Sequence, residues 1–332
     1  MQKPDVMVLG ATGFIGSHVA RAFERRGYPV HGTRRATSDT SLVDDLDLTW
    51  HQVDLDDGDG LDEALEACQA LVDCAAVSPS NAVEIDAAKR RGVGRLRNVL
   101  DACERQRIGR VVYVSSPTTL GSDPSSDDGL LTEDDFYVPG TVEDAYFETK
   151  FSIEAETYRY LLGGLHVVNA IPTAVFGPGD ANPGVSGLLI RLVEGGLPAL
   201  LDGTFNAVDV RDVADTIVAA LEHAHAGRRY IIGGENVGIP EFARMAAEIR
   251  GVEPPGRLLP GEPTRRAASF AEKAARALGY EGESFLTGID MMHYARPVSS
   301  ERAEGELHHD PRPLESTIRD TLDWFETHGY LS

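Results

Sequence analysis

The feature that most constrains this chain is its opening run, Val6-Met7-Val8-Leu9-Gly10-Ala11-Thr12-Gly13-Phe14-Ile15-Gly16. An apolar, strand-type stretch stops at Gly10, glycines recur at every third position, and an amphipathic pattern begins at Phe14. That order predicts strand, tight turn, helix. Glycine suits such a turn because it adopts positive φ and lets a ligand approach the backbone closely. A phosphate brought there meets unpaired N–H groups and the positive end of the helix dipole. The spacing departs from the G-x-G-x-x-G dinucleotide fingerprint. Its place after a buried strand and before a helix still favours a phosphate-binding turn over a ligand-free one.

The chain then repeats the alternation. A helix over Ile15–Arg26 closes at Gly27, and a short strand over Tyr28–Thr33 ends in Arg34-Arg35. NAD-preferring folds place an acid there for the ribose hydroxyl, whereas arginine accommodates a 2′-phosphate, so NADP is the expected cofactor, with NAD as the alternative. Further strands are expected at Leu48–Asp54, Ala70–Ala76, Arg110–Ser116 and Leu165–Ala170, with helices at Leu61–Ala67, Ile85–Arg105 and Tyr146–Leu162. Strands alternating with helices predict an α/β, Rossmann-type doubly wound parallel sheet whose ligands lie at the carboxyl ends of the strands. The acidic stretch from Gly121 to about Pro139 reads as a long loop, either a substrate lid or a mobile surface loop.

Beyond residue 180 the pattern loosens. Helices are expected at Val185–Glu194, Val210–His223, Pro240–Arg250, Thr264–Leu278 and Glu315–Thr327, with a strand at Arg229–Ile232 and a turn at Gly233–Asn236. The expected organisation is a dinucleotide-binding domain over 1–180, to which segments near 205–235 return, and a smaller, mixed substrate lobe over 181–332.

Composition removes several classes. With 53 acidic against 31 basic residues the formal charge is −22, which argues against nucleic acid as a partner. Only Lys3, Lys89, Lys150 and Lys273 are lysines, so 31 − 4 = 27 basic residues are arginine. A high-salt cytoplasm and plain compositional bias both account for that. No stretch reads as a signal sequence or a membrane span, and a cytoplasmic protein is expected. Cys68, Cys74 and Cys103 have neither metal-type spacing nor an even count, so reduced thiols and no metal are expected.

Tyr146 and Lys150 stand four positions apart on a predicted helix and so share a face. A lysine beside a tyrosine favours the phenolate, which makes Tyr146 a candidate acid/base for a carbonyl or alcohol oxygen. Ser115-Ser116 end the strand that precedes it.

Taken together, these motifs make the chain resemble the extended short-chain dehydrogenase/reductases of the NAD-dependent epimerase/dehydratase family. The residues concerned are Gly10–Gly16, Asp54-Leu55, Ala75-Ala76, Ser115-Ser116 and Tyr146…Lys150. Ile171–Asp180, Gly233–Asn236 and Asp323–Tyr330 resemble the dihydroflavonol-reductase-like branch and its hopanoid-associated sugar epimerases. The resemblance implies a catalytic set of Ser116, Tyr146 and Lys150, with Ser115 a rival for Ser116 and Thr118 on the substrate side. It implies that Gly10, Thr12, Gly13, Phe14, Ile15 and Gly16 form the pyrophosphate turn. Arg34 and Arg35 would meet the 2′-phosphate, and Asp54 and Leu55 the adenine. Ala75, Ala76, Ser115, Tyr146 and Lys150 would line the dinucleotide, and Pro172 and Val175 would border the nicotinamide. It also implies a homodimer.

Three departures matter. The Asn-Val-x-Gly-Thr run of many relatives is absent, the segment reading Gly92-Val-Gly-Arg-Leu96, which puts the order of that helix in question. Pro117-Thr118-Thr119 holds no acid where dehydratases carry one. An Arg-Pro-Gly-Asp diphosphate segment is missing, although Arg191, Arg211 and Arg296 are candidate anion contacts. The first functional expectation is therefore an NADP-dependent reductase of a ketone or aldehyde. The alternatives are a nucleotide-sugar epimerase that keeps NAD bound and a non-catalytic dinucleotide sensor.

Overall fold

The computed structural model describes residues 3–75, 84–277 and 285–331. The expected alternation opens it: β1 (Val6–Leu9), α1 (Phe14–Arg25), β2 (Val30–Arg34), β3 (Leu48–Gln52), α2 (Leu61–Leu65), β4 (Ala70–Asp73), α3 (Ile85–Gln106), β5 (Arg110–Val114), α4 (Ala145–Leu162) and β6 (Val167–Pro172). β7 (Ala174–Phe176), α5 (Gly187–Val193), β8 (Leu200–Leu201), β9 (Thr204–Asp209), α6 (Val210–His223) and β10 (Arg229–Ile232) come next. The chain ends with β11 (Glu235–Gly238), α7 (Ile239–Arg250), β12 (Leu258–Leu259), α8 (Gly261–Ala277), α9 (Phe285–Tyr294), α10 (Glu301–Leu307) and α11 (Leu314–Thr327).

Seven strands form one parallel sheet in the order β10-β6-β5-β4-β1-β2-β3. β1 and β4 are neighbours in the sheet although β2 and β3 intervene in sequence, so the winding reverses between them. That is where a doubly wound sheet opens a crevice. Strands β1, β4, β6 and β10 are buried along their whole length because helices cover both faces, whereas the edge strand β3 is only partly covered. One core packs α1 and α6 on the sheet through Val19, Phe23, Val213 and Ile217. The other packs α2, α3 and α4 through Leu61, Leu65, Leu96, Leu100 and Ile153. A third core unites Phe176, Leu189, Phe242, Ile318 and Phe325 under a smaller mixed sheet, β11-β9-β7.

α3 is continuous despite the glycines in its middle. A β-carbon on Gly92 would lie 2.7 Å from Ile153 Cδ1 and 2.9 Å from Thr149 Cγ2. The glycine thus lets α4 press close on α3, a packing contact rather than a weak point.

Two expectations are corrected. Glu235 and Asn236 do not sit in a turn: they begin β11, which pairs antiparallel with β9. The acidic stretch is not a loose surface loop either. Leu131 N–H donates to Pro297 O (2.9 Å), and Ser299 N–H donates to Leu131 O (2.9 Å). Glu133 Oε1 accepts the backbone N–H of Ile231 on β10 (2.9 Å). The stretch is laced along the outer strand of the large sheet.

Candidate active site

Gly10 takes φ +75°, which turns the chain from β1 into α1, and Gly13 N–H closes the turn on Gly10 O at 2.9 Å. A β-carbon on Gly16 would stand 2.0 Å from Gly10 O, so only glycine fits there. Gly13 caps α1 without a side-chain hydrogen bond, and the first turn of α1 holds no acid. The N-terminal amides therefore face the crevice without a competing anion, and the residues present fit a dinucleotide pyrophosphate. Gly10 N–H donates to Thr33 Oγ1 (3.3 Å), which ties the turn to the end of β2.

Arg34 and Arg35 come directly after Thr33 and are exposed, Arg34 lying over the Trp50 ring at 5.4 Å. Neither makes an ion pair among the described residues, although Asp56, whose carboxyl Arg91 chiefly holds below its usual range, lies near enough to Arg35 for it to help. Asp54 is exposed, and its Oδ1 accepts the N–H of Asp56 at 2.9 Å. Leu55 is not on the rim: it is buried in the α3-side core with Leu61 and Val99. Ala75 packs against Gly10 and donates its N–H to Asp73 Oδ1 (2.9 Å). Asp73 is buried, and its carboxyl is held above the usual range by burial, with the Ala75 N–H, Arg95 and Lys150 pulling the other way. Ala76 lies outside the described residues.

A cavity of about 720 Å³ opens at the carboxyl ends of the strands. Phe14, Ile15, Ser115, Ser116, Thr118, Tyr146, Lys150, Pro172 and Val175 all line it. α4 places Tyr146 and Lys150 because its N-terminus is capped by Asp144, whose Oδ1 accepts the N–H of Tyr146 (2.7 Å) and of Phe147 (3.4 Å). Thr287 Oγ1 donates to the other oxygen of Asp144 at 2.6 Å. The Tyr146 hydroxyl stands 3.5 Å from Ser116 Oγ, and Ser116 Oγ is 3.0 Å from Thr118 Oγ1. Three hydroxyls thus converge on one spot in the cavity wall. Lys150 is only 2% exposed, with Nζ 5.7 Å from the centre of the Tyr146 ring. It makes no ion pair among the described residues, so a buried cation borders the cavity beneath the tyrosine.

The rivalry between the two serines resolves on geometry. Ser115 donates its hydroxyl to Glu154 Oε2, away from Tyr146. Ser116 takes the inward place. Arg211 is also corrected: it pairs with Asp209 and Asp320 (2.7 and 2.6 Å) and holds α11 on α6 rather than an anion. Arg191 and Arg296 do border the cavity. Sequence reasoning missed Met291, Met292 and Tyr294 in the cavity wall, which come from a helix with no distinctive pattern. It missed Glu154 as well, although a carboxylate one turn beyond Lys150 on a buried helix face was a legible signal.

A crevice at the winding reversal, an acid-free helix N-terminus and a Ser-Tyr-Lys constellation define a dinucleotide-dependent oxidoreductase of the extended short-chain dehydrogenase/reductase class. The chain belongs to the NAD dependent epimerase/dehydratase family, whose family model matches residues 6–233. It is 27% identical to sterol demethylase protein B of Methylococcus capsulatus over 98% of this chain and 99% of that one. It is 26% identical to the dihydroflavonol 4-reductase of Dianthus caryophyllus over 98% of this chain and 94% of the other. The solved structure of gox2253 superposes with a TM-score of 0.87 at 30% identity, covering 99% of this chain and 100% of that chain.

Proposed function

We propose that this protein is an NADP-dependent reductase of a bulky, largely apolar ketone or aldehyde. The observation that carries the reading is the buried Lys150 beneath Tyr146, which makes no ion pair among the described residues, with Ser116 and Thr118 closing on the same point of the cavity. When bound, the nicotinamide cofactor supplies the hydride for the carbonyl carbon. Ser116 and Thr118 hold the carbonyl oxygen, and Tyr146 gives it the proton that completes the alcohol. Lys150 keeps positive charge beside the tyrosine as that proton leaves. The preference for NADP rests on Arg34 and Arg35, which stand at the end of β2 where an acid would bind a ribose hydroxyl.

The substrate class rests on the apolar part of the cavity wall. Phe136, Tyr137, Val138, Leu188, Met291 and Met292 line it, and methionine adapts to irregular apolar shapes. Relatives with "sterol" and "dihydroflavonol" in their names agree with a ring-bearing substrate of that size. A nucleotide-sugar epimerase is the second reading. Arg191 and Arg296 favour it, because both border the cavity and neither has an acidic partner among the described residues.

Denaturing the purified protein and identifying the nucleotide it releases separates the two. A nucleotide-free protein that oxidises NADPH faster than NADH with a panel of cyclic ketones is the expected result. Stoichiometric bound NAD, with turnover of a nucleotide sugar and none of the ketones, would replace the first reading with the second.

A further inference from the structure

The proposed reduction uses neither Arg229 nor Glu154, yet both are buried behind the cavity wall, 3% and 2% exposed. Arg229 starts β10, and Glu154 lies one turn beyond Lys150 on α4. Arg229 Nε stands 2.7 Å from Glu154 Oε1, off the line of its own N–H. The other oxygen of Glu154 accepts from Ser115 Oγ and from Thr119 Oγ1 (2.7 Å). Thr119 Oγ1 also lies 2.8 Å from Ser116 O.

The rest of the guanidinium is spent on one stretch of chain. Nη1 donates to Glu133 O (2.8 Å) and Asp135 O (3.1 Å), and Nη2 donates to Thr119 O and Oγ1 (both 3.1 Å). Its flat face lies 4.1 Å from the centre of the Phe136 ring, and Phe136 lines the cavity while remaining 48% exposed. Donors aimed at backbone carbonyls fix the course of a chain, and a planar fork reaches several carbonyls at once where an ammonium is a single point.

We propose that Arg229 is a positioning residue for both walls of the cavity. Through Glu154 and Thr119 it holds the turn that carries Ser116. Through Glu133, Asp135 and Phe136 it sets the apolar wall that the substrate meets, and so the width of substrate the site accepts. The proposal rests on the catalytic reading of Ser116 and Tyr146.

The test uses the full-length protein, NADPH and the cyclic ketone that the wild type turns over best. Arg229→Lys keeps the charge and loses the fork, so KM is expected to rise about tenfold with a smaller fall in kcat. Phe136→Leu should raise KM alike, and the double variant should be no worse than either, because one wall is being moved twice. Amide hydrogen exchange should quicken within 119–137 in Arg229→Lys and stay at the wild-type rate in α1. If Arg229→Lys does not fold, Thr119→Val, which keeps the ion pair, should give the same KM-weighted loss.

Additive KM effects, or unaltered exchange over 119–137, would overturn the positioning role. Turnover that survives Tyr146→Phe would overturn instead the catalytic reading beneath it, so the two failures are distinguishable.

Discussion

Ser116 Oγ and the Tyr146 hydroxyl lie 3.5 Å apart although thirty positions separate them in the chain. That gap is long for a hydrogen bond, and a substrate oxygen placed between them would shorten both contacts, as catalytic hydrogen bonds often tighten only in the loaded enzyme. The rigidity of the pair comes from beneath, where Asp144 caps α4 and Glu154 ties that helix to the end of β5.

Tyr146→Phe removes the proton donor and leaves the ring in place. Turnover of the ketone is expected to fall by roughly 10²–10⁴-fold. NADPH binding, followed by quenching of protein fluorescence, should hold within about twofold of the wild type, since no hydride-accepting step is involved.

The two serines should part company. Ser116→Ala is expected to cost about a hundredfold in kcat, as loss of one oxyanion donor does. It also removes the cap on the Pro117–Thr119 turn, since Ser116 Oγ accepts the Thr118 N–H at 3.3 Å, so a loss of stability of about 1 kcal/mol should accompany it. Ser115→Ala takes a donor from a buried carboxylate instead, so it should cost stability, on the order of 1–2 kcal/mol, and lose less turnover than its neighbour. Thermal melts beside steady-state rates on both variants check this, and the reverse pattern would exchange their roles.

Arg34→Ser combined with Arg35→Ser should weaken NADPH selectively. Loss of charge-assisted bonds to a 2′-phosphate predicts a Kd about 10–100-fold higher for NADPH, with NADH unaltered. Titration calorimetry with both nucleotides measures the ratio. Equal weakening of the two would remove the arginines from the phosphate.

Asp290 gives the fold a pH dependence. It is held at about 6 chiefly by burial, with Arg265 opposing and Asp144 adding to the rise. Between its ordinary value of 3.8 and about 6 the folded state keeps a proton that the unfolded chain releases. Folding takes up a proton in that window, so this residue's contribution to stability declines as pH rises through it. The melting temperature of Asp290→Asn should therefore gain on the wild type between about pH 4 and about pH 7. A constant difference across that range would assign Asp290 an ordinary titration.

Much of the fold and site was legible from residues alone because the relevant signals are local. Gly10 to Gly16 announce a turn by their own backbone demands, and Tyr146 with Lys150 share a face by helical geometry. The limits of α6 and β10 are set by apolar runs bounded by Asp209 and Gly233. What escaped was non-local. Nothing near Ser115 says that its hydroxyl turns to Glu154, thirty-nine positions on. The acidic stretch looked detached because its anchors, Arg229 and residues 297–299, arrive only after most of the chain has been laid down. Glu235 and Asn236 looked like a turn because β11 has no apolar alternation of its own and is defined by its pairing with β9.

The lacing of residues 131–135 along β10 has a consequence for solubility. An outer strand with free backbone groups is a template on which another chain can build a sheet. Here the Ile231 N–H is already taken by Glu133, and Arg229 pins the covering stretch in place. The same guanidinium therefore guards the β10 edge of the sheet against pairing with another chain. Where that guard is lost, intermolecular sheet and turbidity should set in on heating before the helices melt.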